Sequence, residues 1–154
     1  MKRRSFASGR YTKKRYSSAY PLSGLIVCGK CSGTYNRVTW QNKSGKSFVW
    51  RCRERLKAGT VQCKQSATIR ESEMMKLLSK LFNAIIKTDP ADSTVYLIKA
   101  KAVLIVSLED KEAFDDADLT KQLLSKVIDR IEVKDEKTAT VHFKSGLIME
   151  KTLS

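Results

Sequence analysis

Four cysteines constrain the fold of this 154-residue chain more strongly than any other feature. They are Cys28, Cys31, Cys52 and Cys63. Two residues lie between the first two, twenty between the second and third, and ten between the last two. A two-residue spacing lets both thiols of a pair reach one metal ion, and Gly29 and Gly33 favour the tight turns around it. The longer spacings predict chain reversals that bring the second pair beside the first.

Three outcomes are open to such a set of thiols: two disulfides, four buried thiols or one metal site. Disulfides need an oxidising compartment, for which the sequence gives no sign. A segment of about fifty residues with few aliphatic side chains folds poorly on burial alone, whereas structural zinc contributes roughly 10–16 kcal/mol of apparent binding energy in small domains. We therefore predict one structural Zn²⁺, whose four cysteine ligands leave no open catalytic position.

Charge is distributed unevenly along the chain. The net charge is +14, but residues 1–70 hold 17 Lys and Arg against one acid, whereas residues 71–154 hold 13 against 15. A strongly basic half predicts a polyanionic partner. No run approaches the roughly 18 apolar residues that a membrane helix needs, and no apolar stretch follows the basic N-terminus as in a secretory signal. We expect a cytoplasmic protein with no membrane partner.

Residues 1–19 are basic, rich in Ser and Tyr, and lack the period of a helix or strand. Two interpretations remain open for them. They form either a solvated tail or an arm that orders on nucleic acid and contacts phosphates or a minor groove. The candidate contacts in this arm are Arg10, Lys13, Lys14 and Arg15.

Residues 20–70 show the pattern of short strands and turns. Residues 35–40 and residues 48–53 each divide into two alternating sets, as the two faces of a strand require. Ser44 and Gly45 lie between the two runs and suit a turn, so the segment predicts a β-hairpin.

The two faces of this hairpin have different expected roles. Trp50 shares a face with Cys52 and is expected in the core, while Arg51 and Arg53 are expected to point outward. A two-stranded ribbon fits the DNA major groove, where arginine reads guanine edges and lysine holds phosphate. The candidate contacts here are Arg37, Lys43, Lys46, Arg51, Arg53, Arg55 and Lys64. The alternative is that the basic face is only solvated and that the aromatic side chains pack in the core.

The second half of the chain predicts helices followed by strands. Thr68 and Glu71 have the spacing of a capping box. Helical patterns occupy residues 74–85 and 114–131, while the apolar run 95–108 fits a helix or a strand, with the helix favoured. Three alternating runs near the C-terminus predict a small antiparallel sheet. The expected fold class is α+β: a four-cysteine ribbon, two amphipathic helices and that sheet.

Nothing in the sequence predicts catalysis. The single histidine, His142, lies in an alternating run and is interpreted as an ordinary strand residue. Asp115, Asp116 and Asp118 are better explained as a helix start than as a metal site. We find no nucleophile–base set, no phosphate-binding loop and no carboxylate pair suited to acid–base chemistry, so we name no catalytic residue.

Several segments together resemble one family, the large serine recombinases of phages and mobile elements. These are "YPLSGLIVCGKCSGTYNRVTW", "FVWRCRERLKAG" and "ATIRESEM", with "FDDADLTKQLLSKVIDRIEVKDEKTATVHFKSGLIME" as weaker support. The resemblance is to the C-terminal zinc β-ribbon domain of that family. It implies that the four cysteines are zinc ligands and that residues 1–19 correspond to the DNA-contacting interdomain linker.

The resemblance also implies a function. The ribbon would bind half of a double-stranded attachment site and would work with other recombinase subunits in a full-length protein. The implied domains are an arm at 1–19, a ribbon at 20–70 and a segment at 71–154 that completes the ribbon domain.

Two features depart from the family pattern. The catalytic serine domain has no counterpart here, so we expect a non-catalytic DNA-binding fragment or relic. The long coiled coil that the family inserts between two helices is absent or very short, because only about 25 residues lie between them. The alternative function is a zinc-ribbon adaptor that binds RNA or protein.

Overall fold

Seven strands and four α-helices make up the part of the chain that the computed structural model describes, residues 20–58, 63, 65–89, 91 and 94–153. The strands are β1 (Ile26–Cys28), β2 (Tyr35–Asn42), β3 (Gly45–Cys52), β4 (Ile69–Arg70), β5 (Ile128–Val133), β6 (Thr138–Phe143) and β7 (Ile148–Thr152). The helices are α1 (Arg53–Ala58), α2 (Glu71–Lys87), α3 (Val95–Leu108) and α4 (Lys121–Val127). A short 3₁₀ turn, Asp116–Asp118, precedes α4.

The strands form two sheets. One has the order β2-β3-β4 and contains the hairpin, in which Tyr35 pairs with Cys52 and Asn42 with Gly45. The other has the order β1-β5-β6-β7. Its three C-terminal strands are antiparallel, whereas β1 joins β5 in parallel, with Cys28 opposite Val133. The N-terminal ribbon and the C-terminal segment therefore share a sheet.

Helix α2 forms because its apolar residues recur every three to four positions, which gives it one apolar face. That face is buried and includes Met74, Leu78 and Leu81. Phe82 lies at its centre, with ring centroids 5.7 Å from Phe114 and 6.2 Å from Phe143. The helix thus packs the C-terminal sheet and the loop before α4 into one core. Within the described residues, each helix is too short or too polar to cross a membrane.

Most of the predicted elements are confirmed. The mixed α+β class, the hairpin, the helix at 95–108 and the antiparallel C-terminal strands are all present. Asp115 does cap a helical turn, because its side chain accepts hydrogen bonds from the backbone N–H groups of Ala117 and Asp118.

Three local predictions were wrong. The last helix ends at Val127, and Ile128 and Ile131 belong to β5, where their burial serves the sheet. Arg53 starts α1, so strand alternation does not extend to it. The residue capping α2 is Arg70, which makes no side-chain cap, so Thr68 and Glu71 do not form a capping box.

Glu71 instead joins the hairpin to α2. Its carboxylate accepts two hydrogen bonds from Arg37, at 2.7 and 2.9 Å, and one from Trp50 Nε1 at 3.0 Å. The Arg37 guanidinium also stacks between two rings, with its carbon 4.0 Å from the Tyr20 centroid and 3.8 Å from that of Phe48. These contacts fix the base of the hairpin against the helix. They also occupy Arg37 inside the protein.

Glu71→Gln should lower the free energy of unfolding by about 2 kcal/mol, since charge-assisted hydrogen bonds are the stronger kind. Burial raises the pKa of Glu71, but the bonds from Arg37 and Trp50 outweigh it and hold the pKa below its ordinary value of 4.5. The stabilisation is therefore present above that value and is lost as pH falls through the folded pKa. Urea unfolding of zinc-loaded protein measures both effects. Glu73→Gln, two residues along α2, is the control; equal stability of the two variants would contradict this role.

Candidate metal centre and nucleic-acid interface

The four cysteine side chains converge on one point. Their Sγ atoms all lie within 4.8 Å of one another. Cys28 and Cys63 are closest, at 3.4 Å, and Cys31 and Cys52 are 3.5 Å apart. Sulfurs bonded to a tetrahedral zinc at about 2.3 Å would be about 3.8 Å apart. The cluster therefore has the size of a four-thiolate zinc shell.

The first pair is held by a tight backbone loop. Cys28 N–H donates to the Gly33 carbonyl at 2.7 Å, and Ser32 N–H donates to the Cys28 carbonyl at 2.8 Å. The N–H groups of Lys30 and Gly33 point at the sulfurs of Cys28 and Cys31, each at 3.4 Å. Such donors stabilise thiolate charge, which a metal ligand carries.

The glycines of this loop serve close packing. The positive φ falls on Ser32, at 63°, and not on Gly29 or Gly33. A Cβ on Gly29 would lie 2.9 Å from the Val133 carbonyl oxygen, to which the Gly29 N–H donates. A Cβ on Gly33 would lie 3.3 Å from the Cys31 sulfur. The prediction that these glycines serve tight turns is therefore wrong, and close contact with β5 and with the cysteine explains them instead.

The protonation of the thiols reflects burial and crowding. Burial and the neighbouring sulfurs raise the pKa of Cys63 to about 12, and burial also raises that of Cys52. Burial opposes ionisation of Cys28 too, but hydrogen bonds from the backbone and from the neighbouring thiols outweigh it and lower its pKa. Burial and the nearby thiolates likewise raise the pKa of Tyr35, whose hydroxyl donates to the Ala67 carbonyl at 2.8 Å. A divalent cation relieves this crowding, because thiolates bind it as charged ligands.

The chemistry of the site fits a structural zinc ion. Four soft thiolates in a compact set favour Zn²⁺ over Mg²⁺ and Ca²⁺, which prefer oxygen ligands. All four positions come from protein, so the ion is structural and leaves no place for a substrate. The predicted ligands Cys28, Cys31, Cys52 and Cys63 are the residues that the fold brings together.

The predicted DNA contacts lie in different environments. Lys43 and Lys46 are exposed at the end of the hairpin. Arg51 and Arg53 are half-buried. Arg55 donates to the Ser66 carbonyl at 2.8 Å and so takes part in holding the segment near Cys63. With Arg37 occupied by Glu71, we leave that residue out of the proposed DNA surface. Arg10, Lys13, Lys14, Arg15 and Lys64 lie outside the described residues.

The outward face of the hairpin is not exposed along its whole length, although strict alternation predicts that it should be. Arg51 lies opposite Asn36 on the face that also carries Val38 and Trp40. Val49, on this same face, is buried. The base of the hairpin is therefore covered on both faces, and only its far end is open: residues 39–46 are all exposed.

Comparison with known proteins identifies the ribbon. Residues 21–83 match the family model of the recombinase zinc beta ribbon domain. This part of the chain is a recombinase zinc β-ribbon domain. The matched region covers β1 to most of α2, and so includes the metal site and the contact between Glu71 and the hairpin.

Solved structures share the fold beyond the ribbon. One comes from work on the sequence requirements of the Listeria innocua prophage attP site: it is 16% identical, with a TM-score of 0.50, over 88% of this chain and 47% of its own. Another, a crystal structure of a large serine recombinase (LSR)–DNA complex, is 14% identical, with a TM-score of 0.51, over 90% of this chain and 58% of its own. This chain thus spans about half the length of these proteins. Among curated proteins, no sequence matches it significantly.

Sequence reasoning missed two features of the site. One is the parallel pairing of β1 with β5, which places Cys28 at the edge of the C-terminal sheet. The other is the role of Glu71, whose spacing from Thr68 suggested a helix cap. The charge of Glu71 is the sequence feature that could have revealed this role, because Glu71 is the first acidic residue after Glu54 in a strongly basic stretch.

Removing zinc should unfold the ribbon, since the metal contributes roughly 10 kcal/mol or more, comparable with the whole stability of a small domain. With Trp40→Phe, the buried Trp50 becomes the one fluorescent tryptophan. Chelation should shift its emission to the red and expose four thiols to a thiol reagent, while part of the helical circular dichroism remains. Adding back Zn²⁺, but not Mg²⁺, should reverse the shift. Unchanged emission from fully demetallated protein would refute a zinc-held fold.

Proposed function

We propose that this chain binds double-stranded DNA with sequence preference, at one half of an attachment site, as the DNA-binding part of a site-specific serine recombinase. The observation that carries the proposal is the exposed, polar and basic end of the β2–β3 hairpin. The family match and the two similar recombinase structures support it.

The hairpin has the dimensions of a groove reader. From the pair Thr39–Phe48 to the turn at Lys43 is four residues, or about 13 Å of strand. The major groove is about 12 Å wide and 8.5 Å deep and admits a two-stranded ribbon. The exposed end can thus reach the groove floor while the clamped base remains outside.

The side chains at this end suit nucleic acid. Residues 39–46 contain two lysines, amide and hydroxyl groups and no acid. The Asn42 side chain accepts hydrogen bonds from the backbone and hydroxyl of Ser44, at 3.1 and 2.7 Å, which preorganises the turn. Lysines neutralise phosphates, and amides and hydroxyls can pair with base edges.

The rest of the proposed role follows from the family. The arm at 1–19 would add phosphate or minor-groove contacts beside the ribbon. The closed zinc shell gives the domain no chemistry of its own, so strand cleavage would belong to a catalytic domain of the full-length recombinase. Its partners would be the attachment site and other recombinase subunits, on DNA inside a bacterial cell.

Lys43→Ala/Lys46→Ala should weaken binding to all duplexes to a similar degree and reduce the slope of log K against log salt by about two, since each phosphate contact adds about −0.9. Fluorescence anisotropy of zinc-loaded protein across a salt series measures the slope. Lys126→Ala/Lys144→Ala, which removes two exposed lysines from the C-terminal segment, is the matched control. Equal salt slopes for the two double variants would mean that the end of the hairpin does not contact DNA.

Gln41→Ala should relax base preference while leaving the salt slope nearly unchanged, because Gln41 is uncharged and exposed at the open end of the hairpin. Glutamine can pair with adenine through two hydrogen bonds, which are worth roughly 1–3 kcal/mol of discrimination against the wrong base. Selection from a random duplex library, compared for the original chain and the variant, measures this change. Zinc content and circular dichroism control for folding. An identical enriched motif would exclude Gln41 from base recognition.

One observation favours a second function. Trp40 is exposed near the hairpin end and could stack on an unpaired base, as in proteins that bind single strands. A competition experiment separates the two proposals. If single-stranded RNA displaces the protein from its selected duplex at a lower concentration than duplex competitor does, the RNA-binding adaptor is favoured.

A further inference from the structure

Trp40 is the one large apolar residue at the open end of the hairpin. The other residues of the segment 39–46 are polar, charged or glycine, and Trp40 is 43% exposed. An indole ring held in water is stabilised when a partner covers it. Because Trp40 lies on the surface proposed to bind DNA, we consider which part of DNA could cover the ring.

Trp40 continues an apolar row along one face of the hairpin. The row begins at the base with Val38, which is half-buried and pairs with the buried Val49. Trp40 follows two residues later on the same face. It pairs with Ser47, whose short side chain is too small to cover an indole ring. The row therefore leads from the protein core to an uncovered ring.

The indole ring is free of competing contacts in the part of the chain that the structure describes. Phe48, the other exposed aromatic residue of the hairpin, is stacked on the Arg37 guanidinium at 3.8 Å. Among the described residues, none forms a comparable ring or cation contact with Trp40, and none accepts a hydrogen bond from its Nε1. The ring is therefore available to a ligand.

The position of Trp40 along the strand places its ring at the depth of the base edges. Trp40 lies two residues, or about 7 Å of strand, before Asn42, which forms the last pair before the turn. The major groove is about 8.5 Å deep. When the turn reaches the groove floor, the indole ring therefore lies inside the groove as well.

The major groove offers an apolar side chain one distinctive partner. Base edges there present hydrogen-bond donors and acceptors, and the C5-methyl group of thymine is the apolar exception. We propose that Trp40 reads thymine by packing its indole ring against this methyl group, an inference that rests on the proposed binding of duplex DNA. The contact distinguishes thymine from cytosine. It also favours DNA over RNA, because uracil lacks the methyl group.

Replacing thymine by uracil tests the contact, because it removes the methyl group without changing base pairing. Selection from a random duplex library first identifies the motif that the zinc-loaded chain prefers, and this motif should contain at least one T·A pair. Each thymine of the motif is then replaced by uracil in turn, and affinity is measured by fluorescence anisotropy at constant salt. At the contacted position, uracil should weaken binding about fourfold, the effect of leaving one methyl group unburied.

Variants at position 40 assign the effect to the indole ring. Trp40→Gln should bind the thymine and uracil duplexes with nearly equal affinity, whereas Trp40→Phe should keep most of the difference. Ile148→Gln is the control and should keep all of it, since Ile148 is 60% exposed but lies on β7, in the other sheet. In the original chain, 5-methylcytosine at the contacted position should bind more tightly than cytosine, because it carries the same methyl group. Zinc content and circular dichroism verify the folding of each variant.

Three results would overturn the proposal. The first is a selected motif in which no uracil substitution weakens binding of the original chain. The second is a uracil effect that persists unchanged in Trp40→Gln, which would assign the methyl contact to another residue. The third is tighter binding to single-stranded RNA than to the selected duplex, lost in Trp40→Gln, which would mean that the ring stacks on unpaired bases.

Failure of this inference is distinguishable from failure of the proposed function. In the first two results, sequence-selective binding to duplex DNA and its salt dependence would remain. A chain that enriches no motif from the duplex library would instead overturn the proposed function, and the thymine contact with it.

Discussion

The cluster of four thiolates connects the two sheets, because its ligands come from both of them, and the rest of the structure depends on this connection. Cys28 ends β1, the strand that joins the C-terminal sheet through β5, and Cys52 ends β3 in the hairpin sheet. One zinc ion thus ties together two sheets that share no strand. The close fit of Gly29 against Val133 places the metal loop directly on the C-terminal segment.

A second connection acts further along the hairpin. Glu71 holds Arg37 and Trp50 from the two strands at the start of α2, so the base of the hairpin is fixed by the metal and by this ion pair. Neither contact reaches residues 39–46. A rigid base with an open end suits recognition in a groove, because little conformational entropy is then lost when the ribbon binds.

Local patterns were sufficient for most of the fold. Cysteine spacing predicted the metal ligands, and alternation predicted the hairpin and the C-terminal strands. The patterns failed where tertiary contacts decide between two local options. Ile128 and Ile131 suit a helix by spacing, but pairing with β6 places them in a strand. Glu71 suits a helix cap by spacing, but Arg37 lies more than thirty residues earlier and no local rule connects the two. The partner of β1 lies about a hundred residues away, so a three-residue run could not reveal it.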